Sequence, residues 1–206
     1  MFGDKAKSLP HAVALVLLPE FTMMPVTSAI EPLRQANRFA EKALYRWTMH
    51  SVDGQPVAAS NNILTMVNGD LEAVPPDASI IICGGLNVQR HADRRLISWL
   101  RKVARRGINI GAVCTGAHIL AEAGLLDGYK CTIHWENLPG FTEAFPELEA
   151  TGGLFEIDRD TDAPKEHDAI DGDTWTADEL VDYLRAVGQP KDTTSWDRKN
   201  DNHPTT

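Results

Sequence analysis

Apolar positions fall into short continuous runs that alternate with stretches of helical spacing. Ala12 to Leu18 (AVALVLL) is unbroken, as expected for a strand covered on both faces. Thr27 to Leu44 follows with Ile30, Leu33, Phe39, Ala40 and Leu44 at helical intervals, and Pro32 early in the stretch marks a shifted start or a kink. Tyr45 to Val52 alternates as a strand does, and Ile63 to Val67 reads as a shorter strand. Ser79 to Cys83 (SIIIC) is a second buried run, ending in Gly84-Gly85. Asp93 to Arg106 predicts an amphipathic helix with Leu96, Trp99, Leu100 and Val103 inward. Ile108 to Val113 predicts the next strand, followed by a helix to about Ala123 with Gly124 as its stop. A short strand at Cys131 to Ile133 ends at His134-Trp135. A helical turn over Glu136 to Phe145 and a strand at Phe155 to Ile157 complete the ordered body.

Strands alternating with helices predict an α/β fold, with a mostly parallel sheet and helices on both faces. Ligands of such folds bind at the carboxyl ends of the strands. Three features fall there: Gly84-Gly85, Cys114-Thr115 and His134-Trp135. In Ala112-Val113-Cys114-Thr115-Gly116, small residues stand two before and two after the cysteine, which suits a sharp strand-to-helix elbow. An elbow would hold the thiol at the top of the sheet, where free N–H groups and the helix dipole favour a thiolate. An ordinary buried cysteine at a strand end fits the same text.

Charge separates the body from the tail. Residues 160–206 hold 12 acids and 5 bases, whereas residues 1–159 hold 17 acids and 15 bases. Neither part has the basic footprint of a nucleic-acid-binding module. The cluster Arg94, Arg95, Arg101, Lys102, Arg105 and Arg106 lies on the predicted Asp93 helix and reads as its solvated outer face. The tail carries five Leu, Ile, Val or Phe residues between Asp160 and Thr206, too few for a packed segment. It is expected to form one short helix near 176–187, capped by Thr176 and Glu179, and otherwise to be disordered. Residues 1–10 are polar, are expected to be flexible, and lack the apolar core of a signal peptide. No run approaches the ~18 apolar residues that span a bilayer, so no membrane partner is expected. Three cysteines without paired spacing fit a reducing, cytoplasmic setting, and no Cys/His cluster has metal-site spacing. No cofactor and no metal are expected.

The strand-end residues suggest one constellation. Cys114 would be a nucleophile or ligand contact, and the N–H of Thr115 with that of Gly84 or Gly85 would bind an anion. His134 could donate a hydrogen bond or act as acid or base, and Trp135 could form an aromatic wall for a cation. A structural histidine and a core tryptophan are the plainer readings of those two.

At these residues the chain resembles the PfpI, class I glutamine-amidotransferase-like superfamily, and within it the N-terminal domain of GlxA-type AraC-family transcriptional regulators. The resemblance covers Ala12 to Asp158 and is most specific in VCTGAHILAEAGLLDGYKCTIHW, Val113 to Trp135. LLPEFTMM (Leu17 to Met24), EPLRQANR (Glu31 to Arg38) and IIICGG (Ile80 to Gly85) support it. It implies a flavodoxin-like three-layer sandwich over residues 11–159, usually dimeric, with Cys114 on the elbow and His134 beside it. Enzymes of the superfamily carry a carboxylate after the first strand, bonded to the elbow cysteine. Here that position aligns with Pro25, whose ring neither donates nor accepts, and Glu20 sits earlier in the loop. Regulators of the family continue beyond the Phe155 strand into a helix-turn-helix domain, whereas this chain turns to its acidic tail.

The resemblance therefore implies a small-molecule-sensing domain of an AraC-type regulator, truncated, without its own DNA-binding domain and without direct DNA binding. A homodimer and a quaternary-amine or amino-acid metabolite are expected. Phe21, Pro25, Gly84, Gly85, Cys114, Thr115, His134 and Trp135 would line the site, with Trp47 as a further aromatic wall. The alternative is a Cys-dependent PfpI-type hydrolase, amidase or glyoxalase-like enzyme, with Cys114 and His134 catalytic.

Overall fold

The chain divides into two units, Met1–Lys165 and Glu166–Thr206. The computed structural model describes residues 9–156, all within the first unit. The expected boundary at residue 160, the acidic tail, the helix near 176–187 and most of the flexible N-terminus lie outside the described residues.

Four parallel strands form the central sheet in the order β2-β1-β5-β6. They are β1 (His11–Leu17), β2 (Tyr45–His50), β5 (Ser79–Cys83) and β6 (Ile110–Val113). β1 is central, with Leu15 facing Met49 on one side and Ile81 on the other. Its alternation is invisible in the sequence because both faces are buried, Ala12 to Leu18 being at most 7% exposed. One face packs Ala12, Ala14, Val16, Ile80 and Ile82 against α2 (Arg94–Ala104) and α3 (Ala117–Glu122). All four inward residues predicted for α2 are buried, Asp93 caps it, and the six basic residues of its outer side are exposed. Val26, Leu33 and Ala36 of α1 (Met23–Phe39) are buried outside that cluster. The parallel α/β sandwich expected from the pattern is the observed fold.

β3 (Val57–Ala58) and β4 (Leu64–Thr65) form a small antiparallel hairpin. β7 (Lys130–Thr132) pairs in parallel with β8 (Glu149–Thr151), and α4 (Leu138–Ala144) lies between them in sequence. Cys131, Ile133, Phe141 and Leu148 bury a second cluster with Ala117 and Ala121 of α3.

Two elements depart most from expectation. α1 begins at Met23 rather than Thr27, runs through Pro32 and ends at Phe39. Its end is set by Asn37, whose side-chain oxygen accepts from Leu44 N–H and Tyr45 N–H at 2.8 Å each, so buried Leu44 belongs to the turn. Phe155 and Glu156 form no strand, and Ile157 lies outside the described residues. The partner of β7 is the Glu-Ala-Thr segment of β8, made a strand by pairing rather than by propensity.

The strand order places the site. The chain goes from β1 outward to β2, then returns to build β5 and β6 on the other side. The crevice outside the carboxyl ends of β1 and β5 is therefore the topological switch point, where ligands of open α/β sheets bind. The segments after β1, β5 and β6 meet there.

Candidate functional site

Cys114 directly follows β6 with φ +58°, in the left-handed region that side chains with a Cβ avoid. A 3₁₀ turn, Cys114–Gly116, then leads into α3. This is the strand-to-helix elbow, and Gly116 is required in it because a Cβ there would meet the carbonyl of Ile82. The thiol is half-buried, and its hydrogen-bonding neighbour among the described residues is Thr22, with Sγ 3.8 Å from Oγ1. Thr22 immediately precedes α1, two residues after Glu20 and three before Pro25. Pro25 lies inside the first turn of α1, half-buried. The polar group brought to the sulfur from the β1 loop is thus a hydroxyl, three residues before Pro25.

Glu20 is engaged elsewhere. Its carboxylate accepts from Asn87 Nδ2 at 2.9 Å and lies 3.4 Å from His91 Nε2. The Asn87 hydrogen bond, then that of His91, hold its pKa below the usual carboxylate value. Glu20 (φ +59°) and Asn87 (φ +51°) are both left-handed, so the bond joins two strained loop residues and fixes the rim of the crevice.

The glycines serve the backbone. A Cβ at Gly84 would strike the Gly116 nitrogen and the Thr115 side chain, and one at Gly85 would strike the Glu20 carbonyl. Thr22 N–H donates to Gly84 O at 3.1 Å and Leu86 N–H to Glu20 O at 3.1 Å, which sews the β1 and β5 loops together. The expected anion pocket is corrected in one donor. Gly84 N–H donates to Val113 O at 3.3 Å, extending the β5–β6 ladder, so it is not available to a ligand. Gly85 N–H has no acceptor among the described residues. Thr115 is 2% exposed, and its hydroxyl donates to Gly85 O at 2.7 Å, locking the elbow to the β5 loop.

His134 joins the site through its main chain. Its N–H donates to Cys114 O at 3.3 Å, which ties the end of β7 to the elbow. Its ring stacks on Trp135 with centroids 5.9 Å apart, and Nδ1 lies 3.9 Å from Glu136 Oε2. Trp135 is 74% exposed, so it stands as an open aromatic surface rather than a core residue. Phe21 is corrected the other way. At 1% exposure it is core, bridged to Gly85, and offers a ligand no wall. Trp47 sits within β2 opposite Val13, away from the strand's carboxyl end, and is not part of the crevice.

The other thiols are structural. Burial pushes the Cys83 thiol strongly up, with the nearby Cys114 adding to it, and burial raises that of Cys131. Among the described residues no group of three His, Cys, Asp or Glu side chains could hold a metal ion, and no helix is long and apolar enough to cross a membrane.

Residues 11–150 match the sequence profile of the DJ-1/PfpI family. Over 150 residues the chain is 43% identical to the HTH-type transcriptional regulator GbdR of Pseudomonas aeruginosa, covering 73% of this chain and 41% of that protein. It is 41% identical over 176 residues to the regulator CdhR of the same species, covering 85% of this chain and 50% of the relative. The chain thus spans half the length or less of these two relatives. Among solved structures, an AraC family transcriptional regulator from Pseudomonas putida superposes with a TM-score of 0.63 at 28% identity, over 73% of this chain and 80% of that one.

Proposed function

This chain belongs to the DJ-1/PfpI family, and we propose that its residues 11–159 are the small-molecule-sensing domain of an AraC-family, GlxA-type transcriptional regulator. The observation that carries the reading is the company of Cys114. Its sulfur meets a threonine hydroxyl, and among the described residues no carboxylate or ring nitrogen bonds to it. A thiol so placed can receive a ligand, and among the described residues its hydrogen-bonding neighbour is a hydroxyl rather than a base. The similarity to GbdR and CdhR over the same body supports the assignment.

In this reading the metabolite lies in the crevice above β1, β5 and β6. Gly85 N–H and the Thr22 hydroxyl offer polar contacts, Cys114 is the floor, and the exposed Trp135 face is the wall. That wall suits a quaternary-amine or amino-acid metabolite, because an ammonium group is attracted to an aromatic face. The domain works as a homodimer in the cytoplasm and leaves DNA contact to other parts of a regulator.

The strained elbow favours one second reading, a Cys-dependent PfpI-type hydrolase, amidase or glyoxalase-like enzyme. Thermal melting against a panel of trimethylammonium and amino-acid metabolites separates the two. At ~100 times its dissociation constant a ligand adds about 2.7 kcal/mol. For a domain of this size that raises Tm by roughly 5–10 °C. A flat panel, with methylglyoxal or amide turnover that Cys114→Ala abolishes and Cys83→Ala keeps, would replace the sensor by the enzyme.

A further inference from the structure

The central sheet has two edges, β2 and β6, and the chain treats them differently. Along β2 the outward backbone groups are capped at both ends. The Asn37 side chain donates to Tyr45 O and accepts from Tyr45 N–H, each at 2.8 Å. The Asn68 side chain accepts from Met49 N–H at 2.8 Å, and Asn68 N–H donates to Met49 O at 2.7 Å. Arg46, paired with Asp77 at 2.8 Å, adds charge to the same strand. Covering loops and charged side chains are the devices by which sheets block pairing at an edge.

β6 has none of them. It reads Ile-Gly-Ala-Val, without charge or proline, and its register with β5 is unbroken by a bulge. Asn109 O and Val113 O accept from Ile80 N–H and Gly84 N–H on the β5 side. By alternation, the N–H and C=O of Ile110 and Ala112 point away from the sheet. Among the described residues none of these groups has a partner. All of β6 is half-buried, and a Cβ at Gly111 would meet nothing within 4 Å, so the space beside the strand is open. The free stretch is bounded: Ile108 N–H donates to Val103 O at 3.5 Å, and Cys114 O accepts from His134 N–H at 3.3 Å. Half-buried backbone groups on an apolar strand are costly to leave unpaired, and one more strand satisfies them.

The free groups are complementary to themselves. An antiparallel copy of β6, related by a two-fold axis at Gly111, sets Ile110 opposite the partner's Ala112, and each such pair exchanges N–H···O=C bonds in both directions. Charge does not oppose the approach, since residues 1–159 hold 17 acids and 15 bases. The remaining sequence offers a poorer match. After Ile157 no three consecutive residues are apolar, and residues 160–206 hold 12 acids and 5 bases.

We propose that β6 is a homodimer interface, at which two copies pair β6 with β6 in antiparallel register and merge their sheets into one. The proposal rests on the homodimer put forward above and assigns its surface. Cys114 follows β6 directly, so the interface and the crevice share one strand.

Sedimentation velocity and NMR amide exchange of the full chain test it. The parent is expected to be a dimer that dissociates on dilution, with the Ile110 and Ala112 amides protected in the dimer and released as it dissociates. Gly111→Lys brings like charges together on the axis and weakens the dimer about tenfold or more. Gly111→Ala leaves it in place. Ala112→Pro removes an N–H that the β5–β6 ladder does not use, and it gives a monomer. A dimer that withstands Gly111→Lys, with both amides exchanging fast, overturns the β6 interface and keeps the homodimer. A parent that is monomeric at every concentration overturns both. Protection of the two amides in that monomer would show the edge covered within the chain itself.

Discussion

Cys114 takes φ +58° between β6 and α3, a conformation that costs an L-residue about 1–2 kcal/mol. The surroundings hold it there: Thr115 is pinned to Gly85 O, His134 N–H is bonded to Cys114 O, and Gly116 packs against Ile82 O. Replacing the side chain isolates that cost. Cys114→Gly is expected to be more stable than Cys114→Ala by about 1 kcal/mol in urea unfolding. This reverses the usual order, in which Ala stabilises relative to Gly by restricting the unfolded chain. Equal stabilities would mean that the elbow relaxes when the sulfur is gone. The cysteine was legible in the sequence because small residues flank it at the two positions where the bend is tight. Thr22 was not, because nothing in Glu-Phe-Thr-Met-Met announces a helix start. The Thr22 side chain makes no capping bond, and packing sets the first turn of α1.

Elements whose signal is their own composition are legible in the chain. β1 and β5 are continuous apolar runs, and α2 has its stripe, its Asp93 cap and its basic outer side. Elements defined by a partner were displaced. α1 ends where Asn37 captures the Tyr45 turn, and β8 exists because β7 lies beside it. The glycines show the same division. Gly84-Gly85 is visible as a motif, but its reason is the neighbouring loop backbone rather than a ligand. Gly85→Ala should therefore destabilise the folded chain by roughly 1–3 kcal/mol, as overpacking does. Gly111→Ala in β6, where an added Cβ meets nothing within 4 Å, should be neutral or slightly stabilising. Urea midpoints of the two variants check this, and equal effects would contradict the close approach of the β1 and β5 loops.

Among the described residues, two buried histidines link the stability of the whole molecule to pH. His50 is 1% exposed and bonded to Thr48 and Asp70 O, His118 is 5% exposed, and burial lowers the pKa of both below 6.5. The unfolded chain then binds protons more readily than the folded one, so stability is full above about pH 7 and falls as pH drops through 6.5. The slope is at most about 1.4 kcal/mol per pH unit for each histidine. Asp70 and Asp77, held down by Arg95 and Arg46, add a further loss as pH falls through 3.8 and below. Urea unfolding at pH 7.5 and 5.5 should show the first drop, and His50→Gln should reduce it. A parent whose stability rises toward pH 5.5 would contradict the neutral burial of these rings.

Function at this scale turns on whether the elbow presents an activated thiolate or an ordinary thiol. α3 has six residues, so few aligned peptides stand behind Cys114, and its neighbour is the Thr22 hydroxyl. The most direct measurement is the alkylation rate of Cys114 by iodoacetamide in the native chain at neutral pH, read by peptide mass and compared with free cysteine. The sensing-domain account predicts that Cys114 reacts no faster than free cysteine, and more slowly once a stabilising metabolite is bound, while buried Cys83 stays unmodified. A rate tenfold or more above free cysteine, by the order of magnitude a depressed thiol pKa confers, would contradict it and make Cys114 a nucleophile.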